Sequence, residues 1–367
     1  MGLVNQIESL VDSARISVQD AHTWFVVGLD NGGNKNNATV LDGTGRFHVN
    51  QLLETPSRVL EGPDAAVQAL AESFDTVLEL VGVSRGAVRA VGLDTPGPAS
   101  ADGVISSRGS TNFAHPGWRS FDFRGAVEAR LGLPVVYNND GNAAALFAHY
   151  QLFGLDAARR SSISAIVGTG LGGGVIVDGK VVKGAAGMAG ELGHVHIPMD
   201  GLLGPGQPVP QCNCGFAGDA ESVASLTAIE KNLLPYWLSR HPDHALTRAG
   251  SLAAAAKLVR GYGERGDELA RRIFGQQAMA IGRLFTIAAN YTDPDAYFVG
   301  GGVVEAAPEF RGWFLETVRR HTTLREEQVR VARFEIVPDL DMAGARGAAI
   351  GALESVRAAD LAARLAG

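Results

Sequence analysis

The stretch "LDNGGNKNNATVLDGTG", Leu29–Gly45, follows the apolar run "TWFVVGLD" (23–30) and sets Gly32 and Gly33 between Asp30 and Lys35. By itself it reads as a hairpin: a strand, a Gly-Gly turn, a second strand over 36–42 and an Asp-Gly turn. The segment 163–184, "ISAIVGTGLGGGVIVDGKVVKG", repeats that layout. Two copies of one strand–turn–strand–turn unit predict two related lobes rather than a single large sheet.

Working outward, a third strand is expected near "RFHVNQLL" (46–53), a helix over 61–82, and strands at 88–97 and 133–140. The last of these runs straight into the helical "GNAAALFAHYQLF". Further helices are expected at 251–260, 266–291, 306–320 and 343–366, with strands at 296–302 and 329–337, and a short amphipathic helix within 1–22. Strands and helices alternate throughout, which makes the class α/β.

A chain of 367 residues with 46% hydrophobic and 19% charged residues is long enough for two cores. Its formal charge of −7 gives no overall basic field for nucleic acid or an anionic membrane surface. No apolar run approaches a membrane span and no signal-peptide pattern opens the sequence, so the cytoplasm is the expected compartment. The two cysteines, Cys212 and Cys214, are separated by one residue. That spacing suits an ordinary disulfide badly and leaves metal ligation or buried free thiols.

Three glycine-rich turns each follow an apolar strand: Asp30–Lys35, Gly168–Gly174 and Gly300–Gly302. Glycine lets consecutive backbone N–H groups close on an anion. None of the three is a P-loop, and "GTGLGGG" leads into a strand, not into the helix a dinucleotide fingerprint requires. A cleft between the two lobes, with each turn gripping part of a triphosphate, accounts for all three together. Asp30 is then placed to hold Mg²⁺ through water, or else to cap its own hairpin as an Asx-turn. In "NNDGNAAA", Asp140 is open to two readings, helix N-cap or general base for a hydroxyl, with Asn139 and Asn142 bracing it or binding neighbouring hydroxyls. The segment 187–222 carries Glu191, His194, His196, Cys212, Cys214, Asp219 and Glu221, interrupted by proline and glycine. Zinc held by one His, two Cys and an oxygen ligand would organise such a loop.

These motifs, five of them in order, resemble the ROK family of bacterial sugar kinases and sugar-responsive repressors over nearly all of 23–356. The family's D-x-G-G-T-K appears as Asp30-Asn31-Gly32-Gly33-Asn34-Lys35, with Asn34 in place of threonine. "TPGP" (95–98) and "NFAHPGW" (112–118) are similar to its sugar-side loop, implying roles for Gly97 and Asn112. "NNDGNAAA" is similar to E-N-D-x-N-A-A-A, implying Asp140 as catalytic base and Asn139 as a sugar contact. "GTGLGGG" matches the second phosphate motif, with Thr169 and Gly170, and Gly300, Gly301 and Gly302 match the adenosine-side turn. E-x-G-H followed by C-x-C-G-x-x-G-C-x-E is nearly complete, implying sugar contacts from Glu191, His194 and Glu221. Zinc would be held by His194, Cys212, Cys214 and Asp219, the last standing where the family has a third cysteine, with His196 in reserve.

The resemblance implies a two-lobed actin-like, ribonuclease H-like ATPase fold with a nucleotide and sugar cleft between the lobes. It implies an N-terminal extension (1–22), a small lobe (23–139, completed by the closing helix 343–367) and a large lobe carrying the zinc loop (140–342). It further implies ATP, Mg²⁺ and structural Zn²⁺, a homodimer, and phosphorylation of a hexose, glucose at its 6-hydroxyl first. Mannose, fructose, allose, N-acetylmannosamine and aminosugars are the alternatives. A sugar-sensing regulator is the competing class; its winged helix-turn-helix has no counterpart in the 22 residues before the first strand.

Overall fold

The computed structural model describes residues 24–97, 99–106 and 112–366. The helix expected within 1–22, and Pro98 of the sugar-side loop, lie outside the described residues. The chain divides into two compact units, one running to Ala143 and resuming at Gly344, the other spanning Ala144–Ala343.

The first unit is built on a five-stranded sheet of β1 (Phe25–Asn31), β2 (Lys35–Asp42), β3 (Glu54–Pro56), β4 (Val88–Thr95) and β5 (Val135–Asn139), in the order β3-β2-β1-β4-β5. β1 pairs antiparallel with β2 and parallel with β4, and β4 is parallel to β5. The helix Pro63–Val81 starts with proline at its first turn and stops at Gly82, whose φ of 69° an L side chain would resist. Its apolar stripe, Ala66, Leu70, Phe74, Val77 and Leu78, is buried at helical spacing.

The closing helix, Leu340–Ala366, lies directly against β1 and β4. Gly28 and Gly92 are register partners across these strands. A Cβ on Gly28 would fall 1.9 Å from the Ala345 carbonyl oxygen, and one on Gly92 1.9 Å from that of Ala348. Gly347 meets the Ala143 carbonyl at 1.7 Å in the same sense. Backbone lies on backbone here because no side chain intervenes.

The second unit holds β6 (Ser162–Val167), β7 (Leu171–Val177), β8 (Lys180–Val181), β9 (Ala296–Gly301) and β10 (Arg333–Ile336), ordered β10-β9-β6-β7-β8. Counting strands within each unit, both sheets run third, second, first, fourth, fifth. Both have an antiparallel first pair and a parallel fourth strand. This duplicated sheet is the ribonuclease H-like unit of the actin-like fold. The core here is dominated by the helix Glu268–Thr292, which buries Ile273, Phe274, Ile281, Leu284 and Phe285. Phe285 packs on Tyr297 of β9 with ring centroids 5.3 Å apart.

Two expected strands are displaced. Over 46–53 only an isolated bridge, Leu41 to Phe47, forms, and the third strand comes later at Glu54–Pro56. Asp42 is the cause: its Oδ1 accepts from Thr44 N at 2.9 Å, Thr44 Oγ1 at 2.6 Å and Arg46 N at 3.1 Å, and its Oδ2 meets His48 Nε2 at 2.8 Å. The chain after the Asp-Gly turn folds onto that carboxylate, so no ladder extends along β2 there. The strand expected from 329 begins at Arg333, because Glu326–Val329 closes a helical turn first.

Candidate active site

In the first unit the Asp30–Lys35 turn is a tight hairpin, closed by Gly32 N donating to Lys35 O at 2.9 Å. A Cβ on Gly32 would sit 2.8 Å from that oxygen, and one on Gly33 2.5 Å from Asn112 Oδ1. Gly32 is therefore needed for the turn, and Gly33 lets the Asn112 side chain close on it. That loop is anchored by Phe113 and Trp118, both buried, with rings 4.8 Å apart and Trp118 Nε1 donating to Val59 O at 2.8 Å. Asn31 and Asn36, opposite each other on the hairpin, join through their amides at 2.7 Å. Asn34 is exposed, its carbonyl accepting from Ser57 N at 3.0 Å, and Lys35 forms a surface ion pair with Glu54. Gly97 is exposed, and a Cβ there would meet nothing within 4 Å.

Asp140 opens the helix Asp140–Phe153 and is exposed. Asn139, not Asp140, caps that helix: its Oδ1 accepts from Asn142 N at 2.7 Å. The capping reading of Asp140 thus passes to its neighbour. Asp30 keeps a partly exposed edge at the end of β1, yet its carboxyl is raised to about 6. Burial is the main cause, eased by the adjoining Asp94 carboxyl and reinforced by the charge of Asp140. Asp94 is fully buried and raised well above the carboxylate range by burial and by the charges of Asp30 and Asp140.

In the second unit two glycine turns adjoin. Gly301, at φ 87°, pairs with Val167, and its Cβ would strike the Val167 carbonyl at 2.0 Å. Gly302 N donates to that same carbonyl at 3.0 Å, which sets 300–302 beside the start of the 168–170 turn. Thr169 is exposed; its carbonyl accepts from Thr227 N and Oγ1 at 3.2 and 2.8 Å. Gly170 admits Glu221, whose Oε2 would stand 2.5 Å from a Cβ there and accepts from Leu171 N at 2.8 Å. The glycine turn and the cysteine loop are therefore locked to each other through Glu221. Glu191 lies at the lip of this region, its carboxyl raised by burial and by Glu221 against the opposing pull of His194.

His194, Cys212, Cys214 and Asp219 bring their ligand atoms within 4.8 Å of one another. His194 Nδ1 is 3.3 Å from Asp219 Oδ2 and 3.9 Å from Cys212 Sγ, and Cys214 Sγ is 3.6 Å from the same Oδ2. Tetrahedral zinc with ordinary bond lengths requires edges of about 3.3 Å between N and O and about 3.5–3.7 Å where one ligand is sulfur. The two contacts through Asp219 match those edges, the His194–Cys212 separation is longer, and the donor set of one nitrogen, one oxygen and two sulfurs suits zinc in chemistry. Asp219 is fully buried, and its second oxygen accepts from Ser222 N at 2.8 Å, which aims Oδ2 into the cluster. Cys214 N donates to Cys212 Sγ at 3.5 Å, while burial pushes the Cys212 thiol up and its Sγ donates to Glu221 Oε1 at 3.3 Å. His196 stands outside this set, its ring against Phe216 at 5.6 Å.

Sequence reasoning passed over Asp94. Its signal was present: β1 and β4 both carry Gly-Leu-Asp, at 28–30 and 92–94, and Asp30 and Asp94 are register partners. Because side chains alternate along a strand, each Asp faces the same side as its Gly, the side covered by the closing helix.

The profile of the ROK family matches residues 26–355. A glucokinase from Streptomyces coelicolor is 30% identical over 300 residues, covering 76% of this chain and 82% of the relative. An N-acetyl-D-glucosamine kinase from Escherichia coli O127:H6 is also 30% identical, over 88% of this chain and 97% of its own. A ROK family glucokinase from Streptomyces griseus, solved with glucose and AMPPNP, superimposes with a TM-score of 0.65 at 30% identity, over 90% of this chain and 99% of the other. The chain belongs to the ROK family and has its two-lobed actin-like ATPase fold. Both of these curated relatives are sugar kinases, and this chain is a sugar kinase of that family.

Proposed function

We propose that the protein transfers the γ-phosphoryl group of ATP to a hexose, glucose at its 6-hydroxyl, with Asp140 as general base. The observation that carries this reading is the division of labour at 139–140. Asn139 caps the helix through Asn142 N, while Asp140 is an exposed carboxylate on the first helical residue whose Oδ1 accepts from Gly141 N at 2.7 Å. Such a group can accept the proton of a sugar hydroxyl as its oxygen bonds to the γ-phosphorus. The bond from that phosphorus to the β,γ-bridging oxygen breaks, giving the sugar phosphate and ADP, and Asp140 passes its proton to solvent. The N–H groups of the turns at 32–35, 168–170 and 300–302 are suited to the phosphate and adenosine sides of the nucleotide. Among the described residues Lys35 Nζ is held by an exposed ion pair, worth at most about 1 kcal/mol, and a phosphate can displace Glu54 from it.

Magnesium accompanying the nucleotide would be held near Asp30 through water and would neutralise phosphate charge. Zinc in the His194, Cys212, Cys214 and Asp219 set would have no open position, so its role is structural. It would fix the loop that carries Glu191, His194 and Glu221; these three and, in the first unit, Gly97, Asn112 and Asn139 are the proposed sugar contacts. His194 directs Nδ1 into the cluster, which reserves Nε2 for a sugar hydroxyl. No helix among the described residues is long and apolar enough to cross a membrane. We assign a cytoplasmic homodimer on the family pattern.

The N-acetyl-D-glucosamine kinase relative supports a second reading, an N-acetylated hexose as acceptor. A coupled assay of ADP release with glucose, mannose, fructose, allose, N-acetylglucosamine and N-acetylmannosamine tests both. The highest kcat/KM is expected with glucose. A preference for N-acetylglucosamine would replace the acceptor, and no turnover with any hexose would overturn the kinase reading.

A further inference from the structure

We infer that Asp94 is a second carboxylate ligand beside Asp30, and that together they bind a hard divalent cation in the absence of nucleotide. The placement follows from the sheet. β1 and β4 are parallel and in register, so Asp30 and Asp94 stand side by side on one face. Asp94 is 0% exposed, and among the described residues its oxygens meet no donor apart from the neighbouring Asp30 carboxyl, which could bond it only by carrying a proton. A buried carboxyl without a donor is costly, and such a group is expected to have its partner in a bound species. Both carboxyls face the closing helix at Gly344, where a Cβ would fall 2.9 Å from Asp30 Oδ2 and 3.2 Å from Asp94 Oδ2. Glycine leaves that wall open in front of both oxygens. The charges acting on the pair are their own and that of Asp140, all negative. Carboxylate oxygens in this number select Mg²⁺ or Mn²⁺ over softer ions.

The alternative tenant is a proton on Asp94, which would join it to Asp30 by a hydrogen bond and leave no need for a metal. The inference deepens the cation role given to Asp30 under the kinase reading and rests on that reading. The test, however, uses neither nucleotide nor sugar. Failure here leaves transfer through Asp140 standing, and failure of transfer leaves cation binding standing.

The experiment titrates Mn²⁺ into the zinc-loaded full chain, following free Mn²⁺ by electron paramagnetic resonance, for wild type and D94N. Wild type is expected to take up Mn²⁺ with a Kd on the order of 0.1–1 mM, and D94N to bind at least tenfold more weakly. Mn²⁺ should raise the Tm of wild type and leave that of D94N unmoved, a difference that a purely structural aspartate would not produce. Should D94N fail to fold, D94G, which fills no more space, replaces it in the same titration. Equal Mn²⁺ affinity in wild type and variant, or no uptake by wild type at millimolar Mn²⁺, would overturn the inference in favour of the shared proton.

Discussion

Replacing Gly92 by alanine should damage the first unit far more than a single methyl suggests. The new Cβ would lie 1.9 Å from the Ala348 carbonyl oxygen, 2.3 Å from its carbon and 3.0 Å from its Cα. All three are backbone atoms of the helix Leu340–Ala366, so no rotamer change relieves the clash. The helix has to retreat from β4 by about 1 Å, opening voids along Gly28 and Gly347, which are packed as closely. Overpacking of a rigid interior costs about 1–3 kcal/mol, and a backbone-on-backbone contact belongs at the upper end. At about 2–4 °C per kcal/mol, a loss near 3 kcal/mol lowers Tm by about 6–12 °C. Thermal melts followed by circular dichroism measure this directly. G312A is the control: Gly312 is exposed within the helix Pro308–Arg320 with nothing within 4 Å of a Cβ, and alanine there should stabilise by about 0.5–1 kcal/mol. If G92A melts within about 1 °C of wild type, the close seating of the closing helix on β1 and β4 is wrong.

Other consequences follow from single groups. Burial pushes Asp42 up, but hydrogen bonds from His48, Thr44 and Arg46 outweigh it and hold the carboxyl well below its ordinary value. A depressed carboxyl contributes stability above its unfolded value, about 3.9, and loses it as pH falls toward the folded one. Wild type should therefore lose up to about 1.4 kcal/mol per pH unit from this group below pH ~4, a slope that D42N lacks. Urea titrations at pH 6, 4, 3.5 and 3 compare the two, and identical slopes would discard the assignment. For the metal cluster, elemental analysis of purified protein should find zinc in wild type and in D219C, with little in D219N, where the buried anionic ligand is gone. Zinc missing from both wild type and D219C would remove the site.

What the sequence reveals depends on how local the cause is. The duplicated strand–turn–strand layout of 23–45 and 163–184 is local, and it reappears as two sheets with one strand order. The C-x-C pair alone left metal ligation and free thiols open; with the family pattern it marked His194, Cys212, Cys214 and Asp219, whose ligand atoms do converge. The Asp42 carboxylate, by contrast, redirects 46–53 through hydrogen bonds that a periodicity reading of apolar residues does not register. Gly28 and Gly92 draw their role from the closing helix, whose contacting residues Ala345 and Ala348 lie 317 and 256 positions further along the chain. Asp94 was obscured for the same reason. Its neighbour Asp30 is adjacent across a parallel pair, and such neighbours are always distant in sequence.

The central claim is that Asp140 takes the proton of the sugar hydroxyl. Measuring ADP release and glucose binding on the same preparation of D140N tests it most directly. Turnover should fall by a factor of about 10²–10⁴, equivalent to about 3–5 kcal/mol in the barrier, while calorimetric glucose affinity stays near that of wild type. Near-normal turnover in D140N would contradict the account.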